Sequence, residues 1–192
     1  MLVGDPSFFA IESRIALAYE RLSFRALGFF VIHVGGKSYG KHSLDSTMLA
    51  CSYDEVERRI SMRGNHTAAF ASEQGAEMIA DAFRNALFAE HQQDSYFGIS
   101  RADFSDLIWS KPLVWAPDGD EAFDDGSCVF HFDVGDRVRL IAFKSRGGGH
   151  DPTTLVDLWL AADDFYSVLH GWREAFKTEW ASTPKAREVD TQ

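Results

Sequence analysis

Cysteine is scarce in this chain of 192 residues. Only Cys51 and Cys128 are present, they stand far apart, and they form no Cys-x-x-Cys pair. A domain held by disulfides, or a zinc site built from cysteines, needs several cysteines at defined spacing. The sequence therefore excludes both classes. We expect two reduced core thiols in a bacterial cytoplasmic protein.

Long hydrophobic runs are also missing. A membrane-spanning helix needs about 20 consecutive apolar residues, and no run in the chain approaches that length. Residues 1–6 contain neither the basic nor the apolar region of a secretory signal. We expect a protein that is neither secreted nor inserted in a membrane.

Positive charge is in deficit. The chain carries 29 acidic and 19 basic side chains, which gives a formal net charge of −10. A protein with this balance repels nucleic-acid phosphates and attracts basic partners. We therefore expect no nucleic-acid binding, whereas a basic protein partner suits the charge.

The sequence also lacks motifs of catalysis and cofactor binding. It has no Gly-x-Ser-x-Gly elbow, and the glycines at 147–149 lack the lysine and the strand-to-helix setting of a phosphate loop. None of the seven histidines forms the i, i+4 pair of a helical zinc site. His33 and His131 lie in predicted strands and could meet near Asp133, but a hydrogen-bonded sheet histidine is the commoner case. We expect no cofactor and no metal.

The chain does contain a block, Ser127 to Trp180, around which the rest is expected to pack. It starts with a hairpin, because residues 128–133 alternate between two unlike faces and residues 137–143 resume as a strand. The hairpin forms the first part of the block, and a helix rich in apolar aromatic side chains forms the last part. Both imply a large buried core.

The register of this hairpin follows from which side chains would face each other. A three-residue loop at 134–136 pairs Phe132 with Val138 and gives Asp133 a charged partner. A two-residue loop instead pairs Phe132 with Arg139 and Asp133 with Val138. Because a slip of one residue turns a whole set of side chains to the wrong face, we predict the three-residue loop, with its glycine at positive φ.

The end of the chain predicts a strand and a long helix. Residues 155–160 are apolar enough for a central strand, and Asp163 is suited to cap the helix that follows. Pro184 ends that helix, so we place a single domain at 1–182 and a flexible tail at 183–192. Apolar residues recur along the helix every three or four positions, at Phe165, Leu169, Trp172, Phe176 and Trp180.

The first half mixes strands and helices. Residues 8–22 fit either a strand or a helix, and we favour the strand; residues 29–34 are a clear buried strand. Ser52 and Glu55 match a capping box at the start of a helix, and a second helix follows. The predicted fold is α+β: one domain with a mainly antiparallel sheet, helices packed on one face, and a long C-terminal aromatic helix.

An acidic loop at residues 118–126 precedes the hairpin. It does not match a calcium-binding EF-hand, because counting from Asp118 places Phe123 where glycine is needed and Val129 where the bidentate glutamate belongs. Contact with a basic partner and simple solvation both stay open for this loop.

Short segments near the amino terminus resemble a known family. The sequences VGDP at 3–6 and FAIE at 9–12 resemble the start of the immunity protein 42 family of bacterial polymorphic toxin systems. The sequence GFFVI at 28–32, with GG at 35–36 and YG at 39–40, resembles the next hairpin of that family. The resemblance implies a small α+β protein, encoded with a toxin, that binds the toxin and protects the producing cell. It brings no catalytic residues with it.

Two functions follow from these observations. The first is a binding protein that neutralises a basic toxin or effector by stoichiometric occlusion. Its predicted contact surface is the acidic loop with a neighbouring aromatic anchor: Asp118, Asp120, Glu121, Asp124, Asp125 and Trp115.

The alternative is an enzyme, such as a hydrolase, that reverses a modification made by the toxin. It would need polar groups that converge in a pocket, for which His33, His131 and Asp133 are the candidates. A regulatory or scaffolding domain is a third possibility.

Overall fold

The computed structural model describes residues 1–20, 25–88, 93–115, 121–147 and 149–186. They form the single α+β domain predicted, with antiparallel sheets and a long C-terminal helix. The strands are β1 (Leu2–Gly4), β2 (Phe9–Tyr19), β3 (Ala26–Val34), β4 (Lys37–Tyr39), β5 (Thr47–Met48), β6 (Ser95–Tyr96), β7 (Ile99–Ser100), β8 (Ser127–Val134), β9 (Arg137–Arg146), β10 (Gly149–His150), β11 (Val156–Ala161) and β12 (Lys185–Ala186). The helices are α1 (Leu49–Ser61), α2 (Phe70–Glu73), α3 (Ala76–Phe88), α4 (Arg101–Ser110) and α5 (Ala162–Ser182).

The first sheet contains β1–β5 and β12 and is built around the β2–β3 pair. β2 confirms the strand predicted within residues 8–22, and β3 and β4 form the predicted hairpin. The outer side of β2 is covered by β1 at one end and by the parallel strand β12 at the other. Between them, the Ile15 N–H donates to Glu179 Oε1 at 3.1 Å. β12 lies within residues 183–192, the range given to the predicted tail.

The second sheet has β9 between β8 and β11. A two-residue loop joins β8 to β9, so Phe132 faces Arg139 and Asp133 faces Val138. The predicted three-residue register is therefore wrong, although Gly135 does adopt a φ of +62°. β11 is not the predicted central strand but lies at the edge of this sheet.

The register prediction failed because both faces of the second sheet are buried. The phenylalanines of β8 pack with α2–α4 in one core, and the opposite face packs with the first sheet and α5 in the other. Polar side chains buried by this register have their own partners. Arg139, for example, forms a two-bond ion pair with Asp157 at 2.7 and 2.8 Å and donates to the carbonyls of Ala71 and Gln74.

The C-terminal helix α5 joins the first sheet to the second. Its apolar stripe is buried as predicted, with Trp180 partly exposed. The indole of Trp172 also makes a polar contact, since its Nε1–H donates to Ser13 Oγ at 3.0 Å.

Two predicted helix starts are wrong by one turn or less. α5 begins at Ala162, so Asp163 lies in the first turn, where a carboxylate still interacts favourably with the helix dipole. α1 begins at Leu49 directly after β5, so Ser52 is inside the helix and makes no capping box. In both cases the preceding strand runs straight into the helix and leaves no loop residue to cap it.

Cys128 is buried as expected, whereas Cys51 is exposed on α1. No helix in the described ranges is both long and apolar enough to cross a membrane.

Candidate functional site

Five side chains from distant parts of the chain meet in the interior and form what we term the buried polar cluster. Its members are Arg59 of α1, His66 in the loop after α1, His131 and Asp133 of β8, and Tyr166 of α5. Arg59, His66 and His131 have no exposed surface, and Asp133 is 8% exposed. His131 and Asp133 share a face of β8 because they are two residues apart on a strand.

Asp133 is the centre of this cluster. Its Oδ2 accepts from the backbone N–H groups of Gly64 and His66 at 2.8 and 3.2 Å and from His66 Nδ1 at 2.9 Å. Its Oδ1 accepts from the Tyr166 hydroxyl at 2.9 Å and from His131 Nε2 at 3.3 Å. Donors therefore surround both oxygens, which is the setting that favours an ionised carboxylate.

Arg59 fixes the protonation of His131. Its Nη1 lies 3.1 Å from His131 Nδ1 and 2.9 Å from the carbonyl of Pro112. Since a guanidinium can only donate, His131 Nδ1 must accept, and the ring proton is on Nε2, facing Asp133. Arg59 also contacts Glu55 at 2.8 Å and stacks over the Trp115 ring at 4.2 Å.

Burial and pairing set the charges of the cluster. Burial lowers the pKa of His131 to about 3 and lowers the pKa of His66, although hydrogen bonds to Asp133 oppose both shifts. Burial alone would raise the pKa of Asp133, but the hydrogen bonds from His131 and His66 hold it below its usual value. Burial lowers the pKa of Arg59 to about 10, so the guanidinium is charged at neutral pH. The cluster thus holds two neutral histidines between a cation and an anion.

The spacing of the cluster would admit a metal ion, because ligand atoms of His66, His131 and Asp133 lie within 4.8 Å of one another. Their hydrogen bonds do not fit one. His131 Nδ1 accepts from Arg59, both Asp133 oxygens are occupied by donors, and the Arg59 charge repels a second cation. Among the ligand atoms of these three residues, His66 Nε2 alone has no hydrogen-bond partner. One available ligand is fewer than the three or four that protein zinc sites use.

Asp133 connects the cluster to a cavity. This residue lines a cavity of about 130 Å³ whose other walls are Arg63, Gly64, Gly135, Asp136, Ala162 and Asp163. A larger cavity of about 540 Å³ lies between α3 and the β6–β7 hairpin and contains no member of the cluster. The two histidines have no described opening to either cavity.

The structure brings together two of the three residues predicted for an enzymatic site. His131 and Asp133 meet, but His33 is on the first sheet, where its Nε2 lies 3.0 Å from Glu12 Oε2. Sequence reasoning missed His66, which is 67 residues from Asp133 in the chain. No local pattern connects the two; they meet through tertiary hydrogen bonds, from the Asp133 N–H to the His66 carbonyl and from His66 to the Asp133 carboxylate.

The predicted contact surface is divided in the structure. Glu121 and Asp124 are exposed, whereas Asp125 is partly buried and bonded to Lys144 at 2.6 Å. Asp118 and Asp120 lie outside the described residues. Trp115 is 1% exposed and packs in the core beneath Arg59, so it is not the surface anchor that the sequence suggested.

Comparison with known proteins decides the family. The sequence matches immunity protein 42, Imm42, over residues 1–175. The chain belongs to this family. The resemblance seen in the first forty residues is thereby confirmed and extends through most of α5. As a member of the family, the chain is a toxin-neutralising immunity protein.

A solved structure shares the fold. The crystal structure of CdiI from Burkholderia dolosa AUO158 aligns with 91% of this chain and 99% of its own, with a TM-score of 0.56 and 18% sequence identity. At this identity the likeness concerns the fold alone. No curated protein matches the sequence significantly.

Proposed function

We propose that this immunity protein acts by binding its cognate toxin about one to one and covering the toxin's active surface, without chemistry of its own. The support comes from the buried polar cluster. Its histidines are fully buried, and its carboxylate is occupied by five donors, three on Oδ2 and two on Oδ1. Groups engaged in this way position one another and have little capacity to bind a substrate.

The toxin that fits this protein is basic. A net charge of −10 attracts a positively charged partner over long range and speeds association. The acidic loop adds the exposed carboxylates of Glu121 and Asp124. We therefore retain Asp118, Asp120, Glu121, Asp124 and Asp125 as the contact surface and omit Trp115.

Stoichiometry tests the proposal directly. The toxin encoded by the neighbouring gene is held at a fixed concentration, and its activity is measured while the immunity protein is added. A binder abolishes activity only when about one copy per toxin is present. If a small fraction of that amount gives full protection, the protein turns over and the proposal is wrong.

The contact surface has its own test. Changing the five loop acids to Asn or Gln is expected to slow association about tenfold at low salt, with a smaller effect at high salt. The matched control removes five exposed carboxylates elsewhere and has the same net charge: Asp54, Glu73, Glu77, Asp106 and Asp164. Stopped-flow association rates compare the two variants. Equal slowing in both would show that net charge alone attracts the toxin and that the loop is no contact surface.

A further inference from the structure

β11 has an open edge. Its six residues, Val156–Ala161, pair with β9 on one side, and no described residue pairs with the other side. The remaining long strands are covered on both sides. β8, at the opposite edge of the same sheet, is closed by residues 113–115 and by His66. Natural proteins usually blunt or cover such edges, because the free backbone groups can pair with another chain.

The backbone groups that face outward can be assigned from the ladder. The N–H groups of His131 and Asp133 donate to the carbonyls of Leu113 and His66, so the backbone polar groups of these two β8 residues point away from β9. Antiparallel strands alternate inward and outward residues. The backbone N–H and carbonyl groups of Val138, Leu140 and Ala142 of β9 therefore point toward β11.

On β11 itself, the partners of those β9 residues are Val156, Leu158 and Leu160. Their N–H and carbonyl groups are used within the sheet. The N–H groups of Asp157, Trp159 and Ala161 consequently point outward, and no described group accepts from them. Three donors at a spacing of two residues are what a further antiparallel strand would bind.

The side chains along this edge suit a protein contact. Trp159 is partly exposed, and the guanidinium groups of Arg137 and Arg139 each lie 5.2 Å from the centre of its ring. Asp157 is the one charged residue of β11, and both of its carboxylate oxygens are bonded to the Arg139 guanidinium of β9. Tryptophan and arginine are the residue types that most often dominate binding at protein interfaces.

The described part of the acidic loop, residues 121–126, leads to the same end of the sheet as the start of β11. Asp125 bonds to the Lys144 side chain, and the Lys144 N–H donates to Thr154, just before β11. Two strand spacings, about 10 Å, separate β8 from β11. A basic segment that runs along β11 would therefore end on the side of the sheet where Asp125 and the acidic residues just before it lie.

From these observations we infer that the toxin adds an extended, basic segment to the outer edge of β11 as a further strand of the second sheet, with Trp159 as the anchor. This inference rests on the proposed function and specifies how the toxin is held. A second copy of the chain is a less favourable occupant, because each copy carries a net charge of −10.

Hydrogen exchange tests the pairing. The isotopically labelled protein is measured by NMR alone and with the toxin domain encoded beside it. The amides of Asp157, Trp159 and Ala161 are expected to exchange at least about tenfold more slowly in the complex. The Leu158 amide is the internal control, because it is already bonded to β9 and should change little.

A proline substitution tests the same edge by affinity. Ala161 has a φ of −63°, which proline adopts without strain, and its N–H faces outward. Ala161→Pro thus removes one outward donor and leaves the ladder to β9 intact. We expect toxin affinity to fall about tenfold, while Ala161→Ser, which keeps the N–H, binds as the parent does. Circular dichroism and thermal melting confirm that both variants fold.

The outcomes separate the two proposals. A one-to-one complex in which the three amides stay unprotected, and which Ala161→Pro does not weaken, overturns strand addition and leaves toxin binding standing. Failure of the toxin to bind at all overturns the proposed function. Protection of the same amides in the protein alone, together with a dimer in sedimentation, assigns the edge to a second copy and overturns the inference.

Discussion

Replacing Asp133 with asparagine is expected to lower the free energy of unfolding by about 3–5 kcal/mol. The amide has the same shape but carries no charge, so the positive charge of Arg59 loses a nearby counterion. Its NH2 group also faces donors, because His131 is held with its proton on Nε2. Leaving buried donors without acceptors is costly in addition to the lost charge.

Urea unfolding at pH 7, followed by tryptophan fluorescence, measures this loss. Asp136→Asn is the matched control, since Asp136 is an exposed carboxylate in the loop that follows the same strand. We expect the control to stay within about 0.5 kcal/mol of the parent. If Asp133→Asn is equally mild, the buried polar cluster does not hold the fold together.

Acid is expected to destabilise the protein from about pH 6.5 downward. In the unfolded chain a histidine binds its proton near pH 6.5, whereas burial lowers the pKa of His131 in the folded chain to about 3. Between these values the unfolded state binds more protons, so stability falls as the pH falls. His131 alone contributes a slope that approaches about 1.4 kcal/mol per pH unit below pH 6.5, or roughly 2 kcal/mol between pH 6.5 and 4.5.

Two further groups of the cluster act in the same direction. Burial lowers the pKa of His66, so this histidine adds to the slope over part of the same range. The pKa of Asp133 is held below its usual value, so its contribution is present above pH 4 and is lost as the pH falls further. The histidines therefore dominate near pH 5, and the carboxylate adds to the loss only in stronger acid.

The slope of stability against pH can be assigned to His131 by substitution. His131→Gln keeps an acceptor for Arg59 and a donor for Asp133, but it cannot take up a proton in this range. Urea midpoints at several pH values should show a shallower slope for this variant, whatever its stability at pH 7. His170→Gln, which changes an exposed histidine of α5, should leave the slope unchanged. An unchanged slope in His131→Gln would show that His131 does not titrate on unfolding.

The sequence predicted the parts of the fold that depend on local pattern. Alternation identified β8 and β9, and helical spacing identified the buried stripe of α5. The predicted register between β8 and β9 was wrong because the hairpin was expected to have one apolar and one polar face, whereas both of its faces are buried. Whether a charged side chain is buried depends on partners such as Asp157 and His66, which come from distant positions.

The candidate site shows the same limit. Asp133 and His131 were recognised as possible neighbours because they share one strand face. His66 and Tyr166 join them only through tertiary packing, and Trp115 is buried between Arg59 and the core residue Phe30. The family could be recognised from the amino-terminal segments alone, because their short motifs place several glycines and a proline in a fixed order.

The β8–β9 hairpin supplies side chains to two hydrophobic cores at once. Because loosening either core would expose side chains of the same hairpin, we expect the two cores to unfold together in one cooperative transition. For an immunity protein this coupling means that a substitution in the core far from the toxin should still lower the amount of binding-competent protein.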